Sequence, residues 1–143
     1  MMTGFAFAHG GEVHPTTGLS TIGVAVAFDP VEGKGRPVTG RLTLTIPKGW
    51  HLYAHGAPDE FVPVSVTQQA GTVDSWQVLW PPFTFVTIEN ERMPVYEGSV
   101  TIPLEGTLAV DAPAVWKGTV TFQACGADLC LPPETREVRG ELR

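Results

Sequence analysis

The chain has 143 residues, 43% of them apolar and 17% charged, a size and balance that build one hydrophobic core and exclude a highly charged disordered segment. Its net charge of −6, with no run of Lys or Arg, removes the electrostatic attraction on which nucleic-acid binding rests and argues against an anionic membrane surface as partner. No apolar stretch reaches the length of a membrane span, so direct membrane insertion is not expected.

Residues 1–18 read as a flexible leader or an expression remnant. Their opening Met1-Met2-Thr3-Gly4-Phe5-Ala6-Phe7-Ala8 lacks the basic region and full apolar core of a secretory signal, and His9 and His14 receive no role. The domain proper is expected over 19–143. Residues 19–28 place Ile22, Val24, Val26 and Phe28 at period two, the pattern of a strand with one face in a core. After the break at Asp29-Pro30 and the Gly-rich stretch 32–37, residues 38–46 alternate Leu42, Leu44 and Ile46 against Arg41, Thr43 and Thr45. Pro47-Lys48-Gly49 turns the chain into Trp50-His51-Leu52-Tyr53-Ala54. Further strands are predicted over 61–66 and 74–79.

Trp80-Pro81-Pro82-Phe83 ends that run, because two prolines cannot both sit in a central ladder. The stretch that follows reads as a loop whose Trp80, Phe83 and Phe85 need something to lie against. Strands at 95–104 and 106–110 follow, interrupted by Pro103 and by Glu105-Gly106. The run from Val115 into Cys125 and the segment 138–142 then make the last hairpin. Seven to nine short strands, with turn signals about every ten residues and no long amphipathic helix, predict an all-β, immunoglobulin-like two-sheet sandwich. The absence of two widely spaced cysteines around a tryptophan excludes an antibody-type domain.

The chemistry concentrates in Gln123-Ala124-Cys125-Gly126-Ala127-Asp128-Leu129-Cys130-Leu131-Pro132-Pro133-Glu134. Four residues separate the cysteines, enough for a tight loop to bring their Cα atoms into the usual window of about 4.4–6.8 Å. Gly126 eases the turn, and Asp128 suits local bonds to backbone N–H groups. Closing so short a loop contributes only about 2 kcal/mol through unfolded-state entropy. A bridge with so small a stability role, at a loop that a partner can reach, suits reversible exchange: an incoming thiolate attacks one sulfur and a mixed disulfide forms. The spacing is not Cys-X-X-Cys and no helix N-terminus adjoins it, so a mild relay is expected rather than a strongly activated thiol.

The cysteine segment resembles the N-terminal periplasmic domain of the thiol:disulfide interchange protein DsbD family. The matching residues are Gln123, Cys125, Cys130, Leu131, Pro132, Pro133 and Glu134, together with Gly49-Trp50-His51-Leu52-Tyr53-Ala54 and with Trp80-Pro81-Pro82 followed by Tyr96-Glu97-Gly98. The resemblance implies a periplasmic or extracytoplasmic courier that can form part of a larger membrane-anchored protein, and whose redox-active disulfide is its only prosthetic feature. It further implies a thioredoxin-like donor domain, and disulfide isomerase or cytochrome-maturation proteins as acceptors. By position, Cys130 forms the mixed disulfide and Cys125 resolves it. A cap loop falls between Trp80 and Tyr96, with Phe83 or Phe85 as shielding ring, and Tyr53 lies near the sulfurs.

Simpler readings stand beside these. The disulfide can be a staple in a non-enzymatic periplasmic binding or structural sandwich domain. His51 and His55 with the two cysteines would make a four-ligand zinc set only if distant segments met, so the histidines read as ordinary surface residues near a turn. Trp50, Trp76 and Trp116 read as core packing. Trp80, Phe83 and Phe85 suit a satellite core as well as a cap, and Asp59, Glu60, Glu89 and Glu91 read as solvated loop charges.

Overall fold

The computed structural model describes residues 21–143. The expected leader at 1–18 and the start of the first expected strand lie outside the described residues. In chain order the strands are β1 (Gly23–Phe28), β2 (Pro37–Thr45), β3 (His51–Tyr53), β4 (Ser65–Gln68), β5 (Val73–Val78) and β6 (Thr84–Ile88). They continue as β7 (Glu91–Tyr96), β8 (Ser99–Leu108), β9 (Val115–Phe122), β10 (Ala124–Cys125) and β11 (Glu134–Glu141).

Two antiparallel sheets make an immunoglobulin-like sandwich. One has the order β1-β2-β8-β5 and the other β11-β9-β4. Strand alternation fills the space between them: Val24, Val26 and Phe28 from β1, Leu42 and Leu44 from β2, and Ile102 and Leu104 from β8 meet Trp116, Val120, Phe122 and Val138. Trp116 is fully buried, with Phe28 and Trp76 at ring-centroid distances of 5.3 and 5.5 Å. Its Nε1 donates to Gln68 Oε1 at 3.1 Å, which gives the buried indole the partner that its polar edge requires. Arg136 of β11 is buried against Glu134 at 2.9 Å and donates to the Ile22 carbonyl at 2.5 Å, joining β11 to the start of β1.

A third sheet, β10-β3-β7-β6, carries Cys125 at the end of β10. Only Gln123 separates β9 from β10, so one run of chain leaves the sandwich and enters this sheet. Residues directly opposite each other on paired strands share a face. The pairs Ala124 with Leu52 and Leu52 with Tyr96 therefore point one way, into the main core, while Cys125 with His51 and Tyr53 with Val95 point the other way. On that outer face Tyr53, Met93, Val95 and Cys125 form a second buried cluster, closed by Ala57, Phe61, Val86 and Ile88.

Three segments differ from the sequence reading. The stretch 84–96 is a β-hairpin rather than a loop: Glu89 and Asn90 both take positive φ, 49° and 68°, as a two-residue turn of matching twist requires. Glu91 thus belongs to a strand. The run expected at 61–66 becomes a strand only from Ser65, because the chain before it, with Pro58 and Pro63, crosses the outer face of the third sheet. The strand expected at 95–104 is split at Glu97-Gly98, where Gly98 has φ 72°, and then runs unbroken through Pro103 and Gly106 to Leu108. Pro103 is tolerated because it lies one residue beyond the last β5 pair, Val78 with Leu104, where it only has to accept, and its carbonyl takes the Leu79 N–H at 2.9 Å. Gly106 faces the β5 bulge, where a Cβ would stand 2.7 Å from the Asp74 carbonyl oxygen.

The ring of Trp116 lies over Gly118 on the same face of β9, and a methyl at 118 would run into that ring and stand 2.5 Å from the Thr67 carbonyl oxygen. Gly118→Ala is expected to lose about 1–3 kcal/mol by overpacking. Urea unfolding should show a lower midpoint with unchanged slope, and an unchanged midpoint would mean that the sheet shifts freely at this point.

Candidate redox site

Cys125 ends β10 and faces Cys130 across a small hairpin. The two form a disulfide, with their Cα atoms 4.0 Å apart. Hydrogen bonds bracket the pair on both sides, Leu131 N–H to the Ala124 carbonyl at 2.9 Å and Gly126 N–H to the Leu129 carbonyl at 2.8 Å. The cysteines thus occupy a non-hydrogen-bonded position, where opposing Cα atoms approach most closely. That accounts for a separation just under the expected window. Asp128 lies exposed in the turn between Gly126 and Leu129.

The two sulfurs sit in unlike surroundings. Cys125 is 1% exposed within the outer cluster, whereas Cys130 is exposed. Tyr53, itself fully buried, brings its hydroxyl to 3.8 Å from Cys130 Sγ. Burial pushes the Tyr53 phenol up from its ordinary value of 10.0, so it stays protonated and acts as the donor to sulfur. The Phe61 ring packs on Tyr53 at 4.6 Å. Gln123 ties this cover to the cysteine loop: its Oε1 accepts from the Val62 N–H at 3.0 Å while its Nε2 donates to the Leu131 carbonyl at 3.3 Å. The Trp50 indole lies over Gly126, about where ordinary van der Waals contact with an added Cβ would fall, at 3.6 Å.

The other expected site residues are placed differently. Phe83 and Phe85 are exposed and pack edge to face on each other at 5.4 Å, with the Arg92 guanidinium 4.0 Å over the Phe85 ring. Strand alternation turns Phe85 to the opposite face of β6 from Val86 and Ile88, the side chains that close the cysteine cluster. The aromatic cover comes from the segment 54–64, through Phe61. Tyr96 faces the main core and donates from its hydroxyl to the Pro81 carbonyl at 2.8 Å, and burial raises its phenol as well. It anchors the Trp80-Pro81 loop from the far side of the sheet.

His51 is not a surface residue. It is 8% exposed, paired opposite Cys125, with its ring 5.6 Å from that of Tyr53. Spacing two puts His51 on one face of an extended strand with Tyr53, while its burial depends on β10 pairing alongside. Burial lowers its pKa from the ordinary 6.5, with Glu97 acting in the opposite direction. His55 lies outside β3, exposed, edge-on to Trp80 at 4.7 Å. Among the described residues no group of three or more His, Cys, Asp or Glu is placed to hold a metal ion.

Comparison with known proteins settles the family. The profile described as thiol:disulfide interchange protein DsbD, N-terminal, matches residues 21–142. The chain belongs to the DsbD N-terminal domain family. It is an extracytoplasmic thiol–disulfide exchange domain of that family, and Cys125 and Cys130 are joined in its disulfide. In fold it is similar to the N-terminal periplasmic domain of ScsB from Proteus mirabilis, with a TM-score of 0.73 at 17% identity over 91% of this chain and 50% of that one. The chain thus spans about half the length of that ScsB domain. The reduced N-terminal domain of DsbD from Neisseria meningitidis aligns with a TM-score of 0.47 at 17% identity, covering 80% of each chain. A comparison with curated protein sequences finds no match.

The buried imidazole makes stability depend on pH in this DsbD-type domain. With the folded pKa below the ordinary 6.5, the unfolded chain binds more protons between the two values. Stability from this group is therefore full above 6.5 and declines as pH falls toward the folded value. Urea midpoints followed through that window should fall in the wild type and fall less in His51→Gln. Equal slopes would show that carboxylates alone carry the pH dependence.

Proposed function

We propose that the domain is an electron courier. A thioredoxin-like donor reduces the Cys125–Cys130 disulfide, and the reduced domain passes the electrons to disulfides of disulfide isomerase or cytochrome-maturation proteins. The observation that carries this reading is the asymmetry of the pair, one cysteine exposed and the other buried. An incoming thiolate needs a line of approach to the sulfur it attacks, and Cys130 supplies it. The donor thiolate attacks Cys130 Sγ, and Cys125 leaves with the electron pair of the broken bond. A second donor thiol releases Cys130, leaving the dithiol form. In the outward direction the Cys130 thiolate attacks an acceptor disulfide, and Cys125 then attacks Cys130, re-forming the internal disulfide and freeing the reduced acceptor.

The surroundings suit each role. Tyr53 stands 3.8 Å from Cys130 Sγ as a hydrogen-bond donor, which favours a thiolate there when the bridge opens. Cys125 stays within the cluster of Tyr53, Met93 and Val95, held opposite Cys130 by the hairpin. The bracketing backbone hydrogen bonds do not involve the sulfurs, so opening the bridge leaves the hairpin frame in place. The fold loses only the small entropic contribution of a short loop, about 2 kcal/mol.

Three experiments test this. Reduction against a dithiothreitol series, with the fold followed by circular dichroism, should be reversible with the domain folded throughout. A bridge that resists reduction until the domain unfolds would make it a staple instead. With a thioredoxin-like partner, Cys125→Ser should accumulate a mixed disulfide at Cys130, while Cys130→Ser should not trap one at Cys125. The reverse pattern would overturn the assigned order of attack. Tyr53→Phe should slow attack by Cys130 on a small disulfide about two- to tenfold, the equivalent of one lost hydrogen bond of about 0.5–1.5 kcal/mol. An unchanged rate would leave Tyr53 a packing residue.

A further inference from the structure

His51 is buried directly across the strand pair from Cys125, and its Nε2 meets no hydrogen-bonding partner among the described residues. Buried polar atoms are nearly always satisfied, so an orphan beside a redox-active sulfur needs a reason. Apolar residues would close the same face without that cost, as Val95 and Met93 do on the neighbouring strand. We propose that His51 is the proton partner of Cys125, taking the thiol proton as that sulfur becomes a nucleophile and returning it when the sulfur is expelled. The proposal rests on the order of attack given above.

The need arises from burial. When Cys125 resolves a mixed disulfide it must first lose its proton, in a place where it is 1% exposed and water cannot readily accept it. Neutral His51 takes that proton. The Cys125 thiolate then attacks Cys130 Sγ, the Cys125–Cys130 bond forms, and the bond from Cys130 to the partner breaks. The partner leaves as a thiolate with the electron pair, and the imidazolium gives up its proton to water or to that thiolate. In the loading direction a donor thiolate attacks Cys130 and expels Cys125 as a buried thiolate; the neutral His51 ring takes up a proton from water and hands it to that sulfur. Each direction moves two electrons through sulfur and one proton through the ring.

The ionisable groups around the imidazole suit this role. Cys125 lies across the strand, Tyr53 lies two residues along β3, and Glu97, just past β7, is the carboxylate whose charge reaches the ring. Asp59 and Glu60 on the covering segment and Asp128 in the cysteine turn are exposed. Burial favours the neutral, proton-accepting imidazole and outweighs Glu97. Tyr53 is not an equivalent base, since its hydroxyl stands at the other sulfur and burial holds its proton more tightly.

The test uses the reduced domain and a dithiobis(nitrobenzoate) disulfide. One thionitrobenzoate is released when Cys130 attacks, and a second when Cys125 resolves the adduct. In the wild type the second release should level off once the imidazole is neutral. In His51→Gln that plateau should vanish, and near neutral pH the second phase should slow about a hundredfold while the first stays within about twofold. Parallel pH profiles for the two proteins would overturn the proposal, because a purely structural role changes stability and not the shape of that profile. A second measurement needs no variant: the His51 ring signals, titrated by NMR, should give different midpoints in the oxidised and reduced wild type, and identical midpoints would overturn the proposal even if His51→Gln does not fold. Peptide mapping of the adduct separates the two claims. An adduct at Cys130 with an unaltered pH profile removes His51 alone, whereas an adduct at Cys125 removes the order of attack and this role together.

Discussion

The pairing of β3 with β10 determines what the cysteines can do. A strand turns successive side chains to opposite faces, so once Ala124 is committed to the main core with Leu52, Cys125 must face outward with His51. A slip of one residue would bury the sulfur in the sandwich and place Ala124 at the hairpin base. The register is held from several directions: Leu52 and Tyr96 are buried in the core on one face, Tyr53 and Val95 are buried on the other, and Gln123 is bonded both to the covering segment and to the exit of the cysteine loop. The redox pair is thus fixed by the sandwich without belonging to its interior.

This arrangement separates stability from chemistry. The main core, centred on Trp116 between Phe28 and Trp76, lies between the two sandwich sheets, takes Leu52, Tyr96 and Ala124 from the third, and does not include either cysteine. The second cluster is small and is closed by a segment rich in turns, so its opening disturbs few of the contacts that hold the sandwich. A disulfide inside the main core would be more protected but could not exchange. One on a bare loop would exchange with any small thiol. Here one cysteine is exposed and its partner is sheltered by Tyr53 and its cluster.

Much of this was legible in the sequence, for identifiable reasons. The strands β1, β2 and β9 show clean alternation, because one face meets a core and the other meets water, and period two survives intact. The cysteine hairpin was legible because spacing and a glycine limit the loop geometry. The β6–β7 hairpin was not, since its turn is Glu89-Asn90 rather than an Asn-Gly pair, and Pro94 lies in its second strand. That miss had a consequence: treating 84–96 as a loop left Phe83 and Phe85 free to be imagined over the sulfurs, whereas strand alternation turns Phe85 away. Pro103 misled in the other direction, because a proline breaks a strand only where its missing N–H would be needed. Phe61 was read as part of a strand because Phe61, Val62, Val64 and Val66 nearly alternate, and nothing local distinguishes a core strand from a segment laid across a second, smaller cluster.

His51 makes the same point about local and non-local information. Its position on one face with Tyr53 was readable from spacing two, but its burial was not, because burial depends on β10 arriving alongside β3 from more than seventy residues away. The contact that brings it there is the same one that delivers Cys125, so the histidine and the sulfur are buried by a single event. An imidazole placed by that event carries a desolvation cost that a valine would not. A site that must put a charge on a buried sulfur during each exchange has a use for a neighbour that can carry the compensating proton, and the oppositely exposed Cys130, with a phenol at 3.8 Å and access to solvent, does not.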